Sequence, residues 1–196
     1  MMDSSARASL NAHVDLKLGE WQRAVLQQRL QDGGAAGLSR ENETLMHNII
    51  GSLREATEMR GDWYKAWHAY ALMNFEVVAH YERLGVPSSE CVAYTTAAVH
   101  AFFRSIALAA DQSVQDALRV LTLMFKHGAQ PEVESALVQG FNSVSIDTWL
   151  LVIPQIIARI SSQGAVGRLA NMLLSAVGKV HPHALVYPLA VSIKST

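Results

Sequence analysis

Eight histidines and a single cysteine are the residues of this chain best suited to metal or nucleophilic chemistry. Zinc needs ligands that converge, typically histidines one helical turn apart or Cys/His pairs. His181 and His183 are the closest pair, but they straddle a helix start at Pro182 with no cysteine or carboxylate nearby, which reads as a polar cap. His68 and His80 lie twelve residues apart on one helix and cannot share a site. Cys91 has no base or cation close in sequence and reads as a small buried apolar residue rather than a nucleophile. No metal site and no catalytic residue is expected.

The cations offer more. Lys65 projects from the first turn of a helix with Arg60 just before it, and stacking of the preceding helices can bring Lys17 and Arg54 alongside. A helix N-terminus already favours anions, and added cations strengthen that preference, so these four residues are candidates for holding a polyphosphate. The competing reading makes them solvated boundary charges whose stems cover apolar surface. Phosphate transfer has no support. The Gly164 to Gly167 segment lacks the spacing and the Lys-Ser/Thr of a phosphate-cradling loop, and no His-Arg-Asp, Asp-Phe-Gly or Gly-rich kinase loop occurs.

The elements that must position these residues are helices, because apolar residues recur at three and four and hardly alternate. Helices are expected over Glu20 to Leu30, Glu41 to Met59 and Asp62 to Leu84, with loops at Gln31 to Gly37 and Gly85 to Ser89. Val92, Thr96, Val99, Phe103, Ile106 and Ala110 form another helical stripe. Ser113 and Asp116 resemble a capping box, His127-Gly128 ends that helix, Pro131 and Pro182 suit first helical positions, and Asp147 suits an N-cap. The resulting helix pairs recur at roughly 35 residues, the period of an α-solenoid. Pro154 and Pro188, 34 positions apart in similar apolar runs, suggest a shared kink and HEAT-like repeats. Gly19-Glu-Trp21 and Gly61-Asp-Trp63 suggest tetratricopeptide-like helix openings.

The expected fold is therefore all-α: a disordered lead-in over 1–13, tetratricopeptide-like repeats over 14–90 and HEAT-like repeats over 91–196. The 61–81 helix is apolar on nearly every side, with Trp63, Trp67, Tyr70 and Tyr81 on one stripe and Tyr64, Leu72 and Phe75 on another, and must have neighbours on both sides. Its aromatics, with Trp21, Phe103, Trp149, Pro154 and Pro188, are the expected structural core.

Half of the chain is apolar and only 17% is charged, lean for a free-standing domain and suited to a surface partly covered by neighbours. A net charge of −1 gives no attraction to nucleic acid or to a membrane surface. A lone cysteine excludes an internal disulfide and favours a reducing, cytoplasmic setting. The longest strongly apolar segment, Trp149 to Ile160, is too short to span a bilayer, and the N-terminus carries no secretory signal.

Trp63-Tyr-Lys-Ala-Trp-His68 and Met73-Asn-Phe-Glu76 closely resemble the FAT region of target-of-rapamycin kinases, large Ser/Thr protein kinases of the phosphatidylinositol-3-kinase-related class. The likeness continues in order through Phe102-Phe-Arg-Ser-Ile106, Gln115 to Leu123, Ile146-Asp-Thr-Trp-Leu150, Val152 to Ile160 and Ile193-Lys-Ser-Thr196, and begins upstream at Leu16-Lys-Leu-Gly-Glu-Trp-Gln22. It departs over the first dozen residues, over Gln22 to Leu45, and over Glu82 to Tyr94, where family members often carry long insertions. The resemblance implies a non-catalytic regulatory and scaffolding segment that clamps the kinase domain of the same chain, contacts target-of-rapamycin complex subunits, and reaches endomembranes through such partners. It also implies inositol hexakisphosphate in a basic pocket. Lys65 matches that motif position, whereas the residues after Arg60 depart from it. No other cofactor is expected. Bare solenoid ends favour self-association. The alternative is a stand-alone helical-repeat adaptor.

Overall fold

The computed structural model describes residues 4–32, 40–109 and 113–194. Among them the chain forms α1 (Ser4–Asp32), α2 (Arg40–Met59), α3 (Tyr64–Arg83), a 3₁₀ turn (Ser88–Cys91), α4 (Val92–Leu108), α5 (Val114–His127), α6 (Pro131–Phe141), a 3₁₀ segment (Ile146–Val152) running into α7 (Ile153–Ile157), α8 (Gly164–Val180) and α9 (Pro182–Lys194), with no strand. Residues 4–13, expected as a lead-in, are helical: Ala12 is fully buried, so this part of α1 has a packed face of its own. Gly19-Glu-Trp21 likewise lies inside α1 and opens no helix. The expected loop from residue 33 onward, and Ala110, lie outside the described residues.

Local chemistry explains most helix ends. Glu41 and Glu43 in the first turn of α2, and Pro131, Glu132 and Glu134 in that of α6, suit a helix N-terminus. Beyond α3, Gly85 adopts φ +73, the Val86 amide donates to the Tyr81 carbonyl (3.0 Å) and the Gly85 amide to that of Glu82 (3.1 Å). This Schellman arrangement satisfies the last carbonyls of α3 from within the chain. Gly128, by contrast, ends α5 at φ −64 without the left-handed turn. Ser145, not Asp147, caps the 3₁₀ segment, its hydroxyl accepting the Asp147 amide at 3.3 Å.

Each helix packs mainly on elements one or two places away in sequence: α1 on α2, α2 on α3, α3 on α4, α4 on both α5 and α6, and α9 on α7 and α8. Two apolar cores result. One joins α1 to α3; the other runs from α3 through the rest of the described chain. α3 serves both, giving Ala66, Ala69, Met73 and Val77 to the first and Ala71 and Val78 to the second. At 100° per residue these faces stand roughly 140° apart. The buried positions of α3 are mostly small, while Trp63, Trp67, Tyr70 and Phe75 are half-buried along its flanks.

Phe103 and Trp149 are buried in the second core, where Phe103, Phe141 and Trp149 meet edge to face at 5.3–6.1 Å between centroids. Three expected core residues sit elsewhere. Trp21 is 66% exposed, because it lies about 200° around α1 from buried Gly19. Pro154 is exposed in the first turn of α7, where its missing N–H breaks no helical bond, whereas Pro188 is half-buried in the interior of α9. The two prolines therefore do not share a kink.

Ser88–Leu108, which joins the 3₁₀ turn to α4, is long and apolar enough to cross a membrane (21 residues), unlike the shorter Trp149 to Ile160 stretch; half of its most apolar part is buried inside the protein. It is the helix around which α3, α5 and α6 pack.

Replacing Trp149 by Ala is expected to cost about 3–5 kcal/mol in denaturant unfolding. Trp21→Ala should stay within about 0.5 kcal/mol. Comparable losses for the two would contradict the packing described.

Candidate functional site

The first turns of α3 face a cavity of about 340 Å³, with Tyr64, Lys65, His68 and Leu72 on one wall. α1 contributes Glu20 and Arg23, the end of α4 contributes Ser105, and the start of α5 contributes Ser113 and Asp116. Asp116 lies at its base, with a side chain only 4% exposed. A carboxylate so placed must be compensated. The Ser105 hydroxyl donates to Oδ2 at 2.9 Å, His68 Nδ1 meets the same oxygen at 3.0 Å, and an Arg119 guanidinium nitrogen donates to Oδ1 at 3.1 Å. Those bonds tie α3, α4 and α5 together at one point, and the first turn of α5 adds its positive pole.

The expected capping box does not form: Ser113 makes no side-chain cap bond, and Asp116 turns inward instead. A first-turn Asp with an Arg one turn later, both set in an apolar helix, was the available sign of this cluster. His68 is the group through which the cavity wall reaches that carboxylate.

The four cations expected to gather do not. Only Lys65 lines the cavity. Lys17 pairs with Glu20 (2.7 Å) and Arg54 with Glu58 (3.6 Å), each one turn away on its own helix, the cheapest partner for a long exposed side chain. Arg60 lies over the Trp63 ring at 4.8 Å, and the other partner of that ring is His13, stacked at 4.8 Å. The one additional permanent cation among the described residues lining the cavity is Arg23, held by Glu76 at 2.9 Å; His68 adds an imidazole. With Glu20 and Asp116 also present, its charge is mixed. Among the described residues no three His, Cys, Asp or Glu side chains converge as metal ligands.

A second polar joint lies farther along α3. Glu82 accepts from Lys126 Nζ at 2.7 Å and meets His127 Nε2 at 2.9 Å. Desolvation alone would raise its pKa, but the bonds and charges of Lys126 and His127 outweigh it and hold the carboxyl below the ordinary glutamate value. Nearby, burial, then the charges of Glu82 and Glu90, push the Cys91 thiol up, which suits a structural residue rather than a nucleophile. Burial likewise raises Tyr81 and Tyr94, which meet edge to face at 5.9 Å.

Among the described residues the structure is an all-α array cross-linked by polar joints, and the profile of the FAT domain matches residues 4–122, more than half of the chain. The chain belongs to the FAT-domain family. Over nearly its whole length it is similar to target-of-rapamycin kinases. It is 43% identical over 196 residues to the serine/threonine-protein kinase tor1 of Schizosaccharomyces pombe, covering 98% of this chain and 8% of that protein. Identity is 44% over 196 residues to the serine/threonine-protein kinase TOR of Arabidopsis thaliana (97% and 7%) and 38% over 206 residues to the serine/threonine-protein kinase mTor of Drosophila melanogaster (95% and 8%). The chain thus spans less than a tenth of these relatives. The matched region is the FAT domain, a non-catalytic part of such kinases, consistent with the lack of kinase motifs in the sequence.

The Glu82 joint makes stability depend on acid. With its folded pKa depressed, the unfolded chain binds the extra proton, so the contribution is present above the ordinary glutamate value and disappears as pH falls through the lower folded value. Denaturant unfolding from about pH 6 to about pH 3 should show this fall in wild type and a shallower one in Glu82→Gln. Identical slopes would mean that the joint contributes nothing.

Proposed function

We propose that this chain is a regulatory and scaffolding segment of a target-of-rapamycin-like Ser/Thr protein kinase, working by position rather than chemistry. It grips the kinase domain of the same polypeptide, limits motion between the kinase lobes, and offers surface to the subunits of the complex in growth signalling. The observation that carries this reading is collinear identity to such kinases across 98% of the chain. Packing confined mostly to elements one or two places apart supports it, since an array of this kind is stiff within its layers, flexes between them, and transmits a change of curvature to whatever it holds. The setting is cytoplasmic, with recruitment to endomembranes through partners.

Exposed apolar residues on α1 (Leu10, Val14 and Trp21) and on α9 (Val186, Tyr187 and Val191) favour contacts with further protein, including a second copy of this chain at high concentration.

Calorimetric titration against the separately expressed kinase domain of a target-of-rapamycin relative should give saturable binding that surface substitutions on the array weaken. No heat of binding from a chain that circular dichroism shows to be helical would overturn the clamp.

A second reading rests on the placement of Lys65, Arg23 and His68 around one cavity: inositol hexakisphosphate binds there, with Lys65 as its main cation. That ligand should raise the melting temperature of wild type but not of Lys65→Glu. An unshifted wild type would remove it.

A further inference from the structure

We propose that a separate cavity, between α1, α2 and the C-terminal half of α3, binds an amphiphile with an apolar chain and a single anionic head, of the fatty-carboxylate class. Its volume, about 440 Å³, falls within the range of small-ligand sites. The floor consists of Leu26, Met46, Met73 and Val77, all buried. Two methionines there supply unbranched, adaptable walls that fit a flexible alkyl chain better than a rigid ring.

The mouth decides the head group. Glu76 is fully engaged, one oxygen accepting from Arg23 Nε (2.9 Å) and the other from Gln27 Nε2 (3.0 Å). Arg83 is not. Its Nε donates to the Ala79 carbonyl at 3.4 Å, and among the described residues no carboxylate lies within ion-pair distance of its guanidinium. A guanidinium presents a planar fork that matches a carboxylate. A cation with no carboxylate partner among the described residues, at the rim of an apolar cavity, complements an anion carried on an apolar tail.

A peptide is a poorer fit. Extended peptides draw their affinity from main-chain partners, and here the rim amide and carboxylate already bond to each other. This cavity lies at the other end of α3 from the one lined by Lys65, so the inference stands apart from polyphosphate binding.

The test is calorimetric titration of the whole chain with dodecanoate below its micellar concentration, with dodecyltrimethylammonium in parallel. Wild type should bind dodecanoate saturably, one per chain, and Arg83→Gln should bind it at least about tenfold more weakly. Met73→Trp, which fills the floor, should abolish binding. If that variant loses its helical circular dichroism, Leu30→Trp at the half-buried wall replaces it. Absence of dodecanoate binding to wild type overturns the proposal, as does equal binding of the cationic amphiphile, which would mark non-specific adsorption. Undiminished affinity in Arg83→Gln overturns the assignment of the head. Binding of a short acidic-apolar peptide in place of dodecanoate overturns it in favour of a protein partner.

Discussion

A helix shared by two cores has to be slim on both faces, because neighbouring axes can approach closely only where side chains are short. α3 meets this condition with Ala66, Ala69 and Ala71, leaving its bulk to the flanks. There the aromatics work as wedges. Trp67 reaches back to the Gly61 carbonyl (2.9 Å), and Phe75 meets Phe102 edge to face at 6.1 Å. The two faces of α3 are closed from opposite sides: α2 closes the first core over Met73 and Val77, and α4 closes the second over Ala71 and Val78.

Polar joints then fix how the layers sit on one another. Asp116 binds groups from α3 and α4 near one end of the shared helix, and Glu82 reaches Lys126 and His127 of α5 near the other. Apolar contacts alone permit neighbouring helices to slide. A buried carboxylate with three directional partners does not, since any slide leaves a desolvated charge exposed to loss of partners. Trp149 illustrates the opposite economy: its indole Nε1 has no acceptor among the described residues, and the packing of its ring carries that cost.

Period and punctuation made the helices from α2 to α6, and the start of α9, legible, because prolines and glycines sit at many of their ends and apolar spacing repeats between them. The need of the 61–81 stretch for neighbours on both sides was legible too. What periodicity could not reveal was which residues of an all-round apolar helix face inward: hydrophobicity points to the tryptophans, whereas closeness of packing selects the alanines. Trp21 misled for a related reason, since its place on the helix, not its type, decides burial. The candidate site was the least legible part. Lys17, Arg54 and Arg60 satisfy themselves within a turn or two, and the cluster that does form joins His68, Ser105 and Asp116, whose separation in sequence leaves no local pattern.

The double duty of α3 has a temporal side. On a growing polypeptide its first face can be covered as soon as Arg83 has emerged, but the second waits for the chain to reach Leu108, the end of α4. At ordinary rates of synthesis that interval lasts roughly 1–5 s, during which Ala71, Val78 and the flank of Phe75 stand open to water. The nascent chain therefore passes through a stage whose solubility depends on how quickly translation proceeds through the α3–α4 connection, and pausing there would prolong exposure to chaperones and to other nascent chains.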